Sequence, residues 1–269
     1  MKQFSNPVVI VLAYNKHAMT QACIEALHAH TEESIDIILV DNGSTPAFET
    51  SEQYELLRLE KNLFYTQGIN AGIRLALRGG GTFDHLILLN NDVTVQSGWL
   101  KPMLNAAQDN VGIVGNCQLL EGQNADIIHA GTADLLQGVH KGGPDNGMFN
   151  QPTQEVWVTF ACTLITRDCI EAIGLLDERM VHFYSDNDLC LRAWLGGFQV
   201  VYEPKSRVIH KHHASYKEAG IDPKQDQAIY LDKWMGKDLQ EKVFNRIFLD
   251  FDQRSIMTLN PKVVRKSDF

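Results

Sequence analysis

The sequence predicts an α/β protein with a mostly parallel central sheet flanked by helices and a helical C-terminal tail. Three observations lead there. Apolar, β-branched runs of strand length alternate with segments of helical period through the first half of the chain. The first of them, Val8 to Ala13, is apolar on both faces, as a buried parallel strand should be. Each of the clearest ends in a polar cluster: Tyr14-Asn15, Asp41-Asn42 and Asn90-Asn91-Asp92. In open parallel sheets, ligand loops sit at the carboxyl ends of strands, so the position and the chemistry of these clusters coincide.

In chain order, Val8 to Ala13 reads as a buried parallel strand and Ala18 to His30 as a helix. Ile35 to Val40 is a second strand, turned by Asp41-Asn42-Gly43-Ser44. Tyr54 to Leu59 is a weaker third. Ile69, Ile73 and Leu77 recur at helical spacing, which predicts a helix over Tyr65 to Arg78, stopped by Gly79-Gly80-Gly81. His85 to Leu89 is another buried strand. Beyond it the pattern is less regular. Gly131 to Pro152 reads as a long loop, Glu155 to Thr166 as strand, Asp186 to Leu195 as helix with Cys190 and Trp194 on one face. Phe198 to Tyr202 is strand, closed by Pro204, and the tail from Tyr216 has mostly helical pattern.

Composition removes several functions. The net charge of -9 excludes a broad nucleic-acid-binding face. An acidic protein still binds a diphosphate if a divalent cation sits between them. The five cysteines are odd in number and never spaced C-x-x-C, which points to reduced thiols rather than disulfides or a zinc ribbon. The longest apolar run, Val8 to Ala13, is far short of the roughly 20 residues of a membrane span, and the start lacks signal-peptide anatomy. The expected location is cytoplasmic.

Three motifs carry chemistry. Asn90-Asn91-Asp92 follows a buried strand; it suits a turn, and equally a hard cation held against a diphosphate. Asp186-Asn187-Asp188 precedes a helix, where acidic residues cap the N-terminus or offer a general base to a cleft. His210-Lys211-His212-His213 is an imidazole cluster, structural or metal-binding.

Taken in order, these stretches resemble family 2 glycosyltransferases of the GT-A fold, of the bacterial and phage rhamnosyltransferase-like branch. The matching blocks are Val8 to Asn15, Val40 to Ser44, Asn62-Leu63-Phe64 with Gly68 to Gly72, and Leu88 to Val93. They continue through Gly174 to Glu178 and Phe183 to Arg192, with His210 and Ser215 completing the series. The resemblance implies an inverting, metal-dependent transfer of a sugar from a nucleoside-diphosphate donor, a UDP- or dTDP-sugar, to a glycan or lipid-linked acceptor hydroxyl. It implies Mn2+ or Mg2+ as cofactor, held by Asp92 and by His210 or its neighbours. Asp186 takes the place of the catalytic base. Ala13, Tyr14, Asn15, Asp41, Asn62, Gly68, Asn70, Asn90, Asn91 and Asp92 fall in the donor site, Asp41 facing the base's ring N–H. Residues 1–215 form the catalytic domain, with a donor half over 1–115 and an acceptor half over 116–215. Residues 216–269 form a helical extension packed on the core.

Two positions depart from the family pattern. Asn90 stands where D-x-D has its first Asp, and Ser185 replaces the Glu that precedes the base. Ser185 alone favours the alternative of a non-catalytic sugar-nucleotide-binding or scaffold protein. A dinucleotide-dependent dehydrogenase is excluded, because Ala13-Tyr14-Asn15-Lys16-His17-Ala18 stands where a G-x-G-x-x-G loop is required. A sugar nucleotidyltransferase fails for the same lack of a glycine-rich phosphate loop.

Overall fold

The computed structural model of the protein describes residues 3–122, 126–132, 139–211, 221–234 and 263–265, with backbone alone for Val139 and 263–265. The elements run β1 (Val8–Ala13), α1 (His17–His30), β2 (Asp36–Asp41), β3 (Glu55–Arg58), α2 (Phe64–Arg78), β4 (His85–Asn90) and β5 (Val93–Val95). They continue α3 (Leu100–Ala106), β6 (Val111–Leu120), β7 (Ile127–His129), β8 (Val139–Lys141), β9 (Thr153–Gln154) and β10 (Cys162–Thr166). The last are α4 (Arg167–Ile173), α5 (Ser185–Leu195), β11 (Gln199–His210), α6 (Pro223–Trp234) and β12 (Val263–Arg265).

One large sheet has the order β3-β2-β1-β4-β10-β6-β11-β5, with β7 added to β6 and β9 to β11. The strands β3, β2, β1 and β4 are parallel throughout. Strand β10 runs antiparallel to both β4 and β6, and β11 is again parallel to β6. Alternation of side chains sends successive residues of these strands into two separate cores. Val8, Ile10, Ile38, Val40, Leu86 and Leu88 face a core shared with α2, α4, α5 and α6. Val9, Val11, Ile37, Leu39, Ile87 and Leu89 face a second core under α1 and α3.

The first-half elements stand where expected, within a residue or two at their ends. The differences lie further on. Of Glu155 to Thr166, only Cys162–Thr166 is strand. The stretch before it is irregular, with a bend at Val156 and a turn at Phe160-Ala161, and it packs Val156, Trp157, Val158 and Phe160 into the core shared with α5. The expected loop of 131–152 contains β8, which pairs with β12. Strand β12 itself departs from a purely helical tail, and its Val263-Val264 pair has β-branched chemistry to match.

Pro204 does not close the strand. Strand β11 continues to His210, and the ladder with β6 shifts register between Glu203 and Arg207, so the proline sits in an irregularity where no ladder donor is needed. Helix α6 buries Tyr230 and Trp234 in the main core, with Leu231 packed beside them. The rest of 216–269, together with His212, His213 and Ser215, lies outside the described residues.

Two glycines are fixed by close approach. A Cβ on Gly68 would meet Leu12 Cδ1 at 2.6 Å, so α2 lies directly on β1. Gly43 has φ +83 and a Cβ there would lie 2.4 Å from the Lys61 carbonyl carbon. Backbone cannot yield as a side-chain tip does. Gly43→Ala is therefore expected to cost about 2 kcal/mol of stability, from left-handed strain plus overpacking. Urea denaturation reads this directly as a lowered midpoint at unchanged slope.

Candidate active site

Parallel register lines up the expected donor residues along one edge. Ala13 lies opposite Asp41, and Leu12 opposite Asn90, at the carboxyl ends of β1, β2 and β4. Beyond Ala13 the chain turns through two left-handed residues, Asn15 and Lys16, both at φ 51. This turn leaves Tyr14 45% exposed at the edge. Asn15 is tied down: its N–H donates to Ser44 Oγ at 2.8 Å and its Oδ1 accepts from Thr45 N–H at 2.9 Å.

Asp41 is wholly buried. Its Oδ1 accepts from Ser44 N–H at 2.9 Å; its Oδ2 accepts from Phe48 N–H at 3.0 Å and Arg58 Nη1 at 2.5 Å. Burial pushes the carboxyl upward, but the hydrogen bonds from Ser44, Phe48 and Arg58 outweigh it and hold the pKa below the ordinary aspartate range. Whatever else Asp41 meets, it organises the 41–48 loop.

Three residues expected near the donor make internal contacts. Asn62 Oδ1 accepts from Asn42 Nδ2 at 2.9 Å and from Phe64 N–H at 2.8 Å. Gly68 is the packing contact described above. Asn70 is wholly buried, its Nδ2 donating to Leu176 O and Glu178 Oε1 and its Oδ1 accepting from Leu176 N–H. This amide fastens α2 to the 174–178 turn.

The Asn90-Asn91-Asp92 triplet divides its side chains. Asn91 Nδ2 donates to Thr20 Oγ1 of α1 at 2.9 Å, so it is a brace. Asn90 is half-buried at the edge. Asp92 faces His210: antiparallel pairing of β5 with β11 sets His210 opposite Val93, and Nε2 comes within 3.2 Å of Asp92 Oδ1. The other ring nitrogen, Nδ1, lies 3.3 Å from Gln118 Oε1. In the tautomer whose Nδ1–H donates to that amide oxygen, Nε2 turns its lone pair toward the carboxylate. Such a pair is attractive only when a proton or a cation lies between its members. One carboxylate and one imidazole therefore fit a divalent cation whose remaining positions a diphosphate would fill. Among the described residues no group of three or more His, Cys, Asp or Glu converges as a metal site.

Asp186 lies in the first turn of α5, and only 9% of it is exposed. Its Oδ1 accepts from Asn187 N–H at 3.0 Å. With the Asn187 amide in the orientation its neighbours satisfy, Nδ2 also donates to Asp186 Oδ1 at 2.9 Å and Oδ1 accepts from Trp157 Nε1 at 3.2 Å. Tyr65 stands near enough that its phenol, raised first by burial, is raised further by the charge of Asp186. Asp188 is not the helix cap that the sequence suggests. Its wholly buried carboxylate meets Arg192 Nε at 2.9 Å, Lys233 Nζ at 2.7 Å and Trp234 Nε1 at 2.9 Å. Position 185 is filled by a buried serine.

The segment 157–161 joins these groups. Ala161 O accepts from Asn90 N–H, Phe160 O from Tyr65 Oη, and Trp157 reaches Asn187. Thr159 N–H donates to His129 Nε2, and His129 Nδ1 lies 2.7 Å from His140 Nδ1. Gln118, Trp157, Asn187 and Tyr65 are absent from the sequence-based set. Asn187 was visible within its motif, whereas the others reach the site only through long-range pairing.

The profile of glycosyl transferase family 2 matches residues 8–174. An O-antigen biosynthesis protein, RfbC of Myxococcus xanthus, is 30% identical over 238 residues, 81% of this chain and 18% of that protein. The N-acetylglucosaminyl-diphospho-decaprenol L-rhamnosyltransferase of Mycobacterium tuberculosis is 26% identical over 80% of this chain and 78% of its own length. The solved structure of GalNAc-T7 with UDP, GalNAc and Mn2+ superposes with a TM-score of 0.65 at 16% identity, covering 88% of this chain and 49% of that one. That likeness concerns the fold, which is GT-A. The chain belongs to glycosyl transferase family 2, and it is a glycosyltransferase. No helix among the described residues is long and apolar enough to cross a membrane.

Two predictions test the braces. Asp188→Asn leaves Arg192 and Lys233 facing a neutral amide, and should cost about 3 kcal/mol in denaturant unfolding, well above the roughly 1 kcal/mol of a lost cap. Asp41 has a depressed folded-state pKa, so its contribution is full above the unfolded value and fades as pH falls through the folded one. The stability gap between wild type and Asp41→Asn should therefore narrow on titration from neutral pH toward about pH 3. A gap that widens on acidification would contradict the assignment.

Proposed function

We propose that the protein transfers a sugar from a nucleoside-diphosphate donor to an acceptor hydroxyl, with inversion at the anomeric carbon. The observation that carries this reading is the Asp92–His210 pair, seated at the carboxyl edge of the sheet at 3.2 Å. Asp92 and His210 would hold a divalent cation, Mn2+ more readily than Mg2+ because an imidazole nitrogen is a poor ligand for the harder ion. When bound, the cation offsets the charge that develops on the departing diphosphate. Tyr14, with its exposed ring at the end of β1, is the surface on which a nucleobase would lie.

Asp186 is the base in this reading. Its carboxylate would take the proton of the acceptor hydroxyl as that oxygen attacks, and Asn187 fixes which oxygen is presented by hydrogen-bonding the other. Trp157 in turn fixes Asn187. A UDP- or dTDP-sugar suits the donor side. The similarity to a rhamnosyltransferase acting on a diphospholipid-linked sugar, and to an O-antigen biosynthesis protein, supports a glycan or lipid-linked acceptor. The domain reading is likewise a proposal: a catalytic unit over 1–215 and an extension over 216–269.

The test pairs two substitutions. UDP- and dTDP-sugars are screened with Mn2+ by thermal shift, then assayed for nucleoside diphosphate release with an N-acetylglucosaminyl diphospholipid acceptor. Asp92→Ala should abolish Mn2+-assisted binding of the nucleotide by calorimetry while the protein stays folded. Asp186→Asn should bind nucleotide as wild type does and turn over at least about 10²-fold more slowly. Unchanged metal-assisted affinity in the first, or unchanged turnover in the second, removes that residue from its role.

A further inference from the structure

The family match ends at Gly174, and the chain on both sides of Asp186 is held by a helix that begins at Pro223. Asp226 of α6 is buried to 1% exposure, and its carboxylate accepts three successive backbone N–H groups. Oδ1 takes that of Val181 at 2.9 Å, and Oδ2 takes those of His182 and Phe183 at 2.8 Å each. One turn on, Tyr230 stacks on Tyr184 with ring centroids 5.0 Å apart. Lys233 bridges Asp177 and Asp188, and Trp234 donates to Asp188. Positions 226, 230, 233 and 234 form one face of a helix, and that face holds the chain on both sides of Asp186.

What it holds is a costly conformation. Tyr184, the residue that leads into α5, has φ 62 and ψ -2, a left-handed geometry that a bulky side chain adopts only when its surroundings impose it. The 181–183 N–H groups would otherwise point inward without acceptors. Thr66 N–H holds Val181 O from the opposite side. The direction in which Asp186 leaves the turn follows from these constraints.

We propose that Asp226 is a positioning residue for catalysis: by gathering the 181–183 amides, it fixes the left-handed turn at Tyr184 and so aims the Asp186 carboxylate. This rests on the reading of Asp186 as the base. A brace that served stability alone would leave the folded protein's turnover untouched, so the two roles separate kinetically.

Asp226→Asn puts an amide NH2 among three donors and should disturb the turn. Turnover is read as nucleoside diphosphate release with the donor and acceptor of the assay above, well below the melting temperature. The expected result is a kcat lowered about 10-fold or more, with KM for the donor and calorimetric affinity for UDP or dTDP plus Mn2+ within about twofold of wild type. Asp226→Glu, which keeps the charge, should recover part of the rate, and it carries the same test if the asparagine variant does not fold. In an Asp186→Asn background, Asp226→Asn should change kcat by less than about twofold, because one act removes what the other positions. Wild-type kcat in folded Asp226→Asn, or losses that multiply in the double variant, overturns the positioning role. Wild-type turnover in Asp186→Asn alone overturns the base assignment instead, which keeps the two failures apart.

Discussion

Residues Cys162–Thr166 of β10 pair with Leu89 to His85 on one side and with Gly115 to Ile113 on the other. Among the described residues, this strand alone stitches the parallel block β3-β2-β1-β4 to the second half of the sheet. Its antiparallel direction has a functional consequence. The first residue of β10 lies beside the last residues of β4, so the chain that feeds it must cross the carboxyl edge where β4 ends. Trp157, Thr159 and Phe160 are delivered there by topology. A parallel strand in the same place would bring its feeding segment to the opposite edge, and Trp157 could not reach Asn187.

Buried carboxylates show how the molecule separates scaffold from chemistry. A desolvated carboxylate is tolerated when hydrogen bonds and opposite charge replace its water. Asp41 meets Arg58 and two backbone amides, Asp188 meets Arg192, Lys233 and Trp234, and Asp226 meets three amides. Glu155 is held by Lys141, Thr153 and the Thr132 amide. Each of these holds a loop in shape. Asp92 and Asp186 differ in their partners: an imidazole on one, an amide side chain and its own helix turn on the other.

The division also explains what the sequence could convey. Val8–Ala13, Asp36–Asp41 and His85–Asn90 were legible because each is a local run whose composition and ending both signal a covered strand. The edge they share, and hence the neighbourhood of Ala13, Asp41 and Asn90, follows from that pattern alone. Residues whose role depends on a distant partner were not legible. Asn70 reads like a donor contact until Leu176 and Glu178 take its amide, and Asp188 reads like a cap until Lys233 and Trp234 arrive from the tail. Pro204 misleads for a related reason. A proline ends a strand only if the ladder demands its N–H, and whether β6 makes that demand is settled by the register shift opposite.

The two chemical groups are thus held by bonds of different kinds. His210 ends β11, and Asp92 lies in the turn just before β5, the edge strand paired with it, where Asp92 O accepts from Lys211 N–H at 3.0 Å. Asp186 sits at the start of a helix whose approach turn owes its shape to side chains, chiefly Asp226 and Tyr230 from α6. The turn at Tyr184 is held by the Asp226 carboxylate, the Tyr230 ring and Thr66 N–H on Val181 O, set against a strained φ. On the proposed reading of Asp186 as the base, its geometry answers to a helix of the tail, through residues that no motif around Asp186 contains.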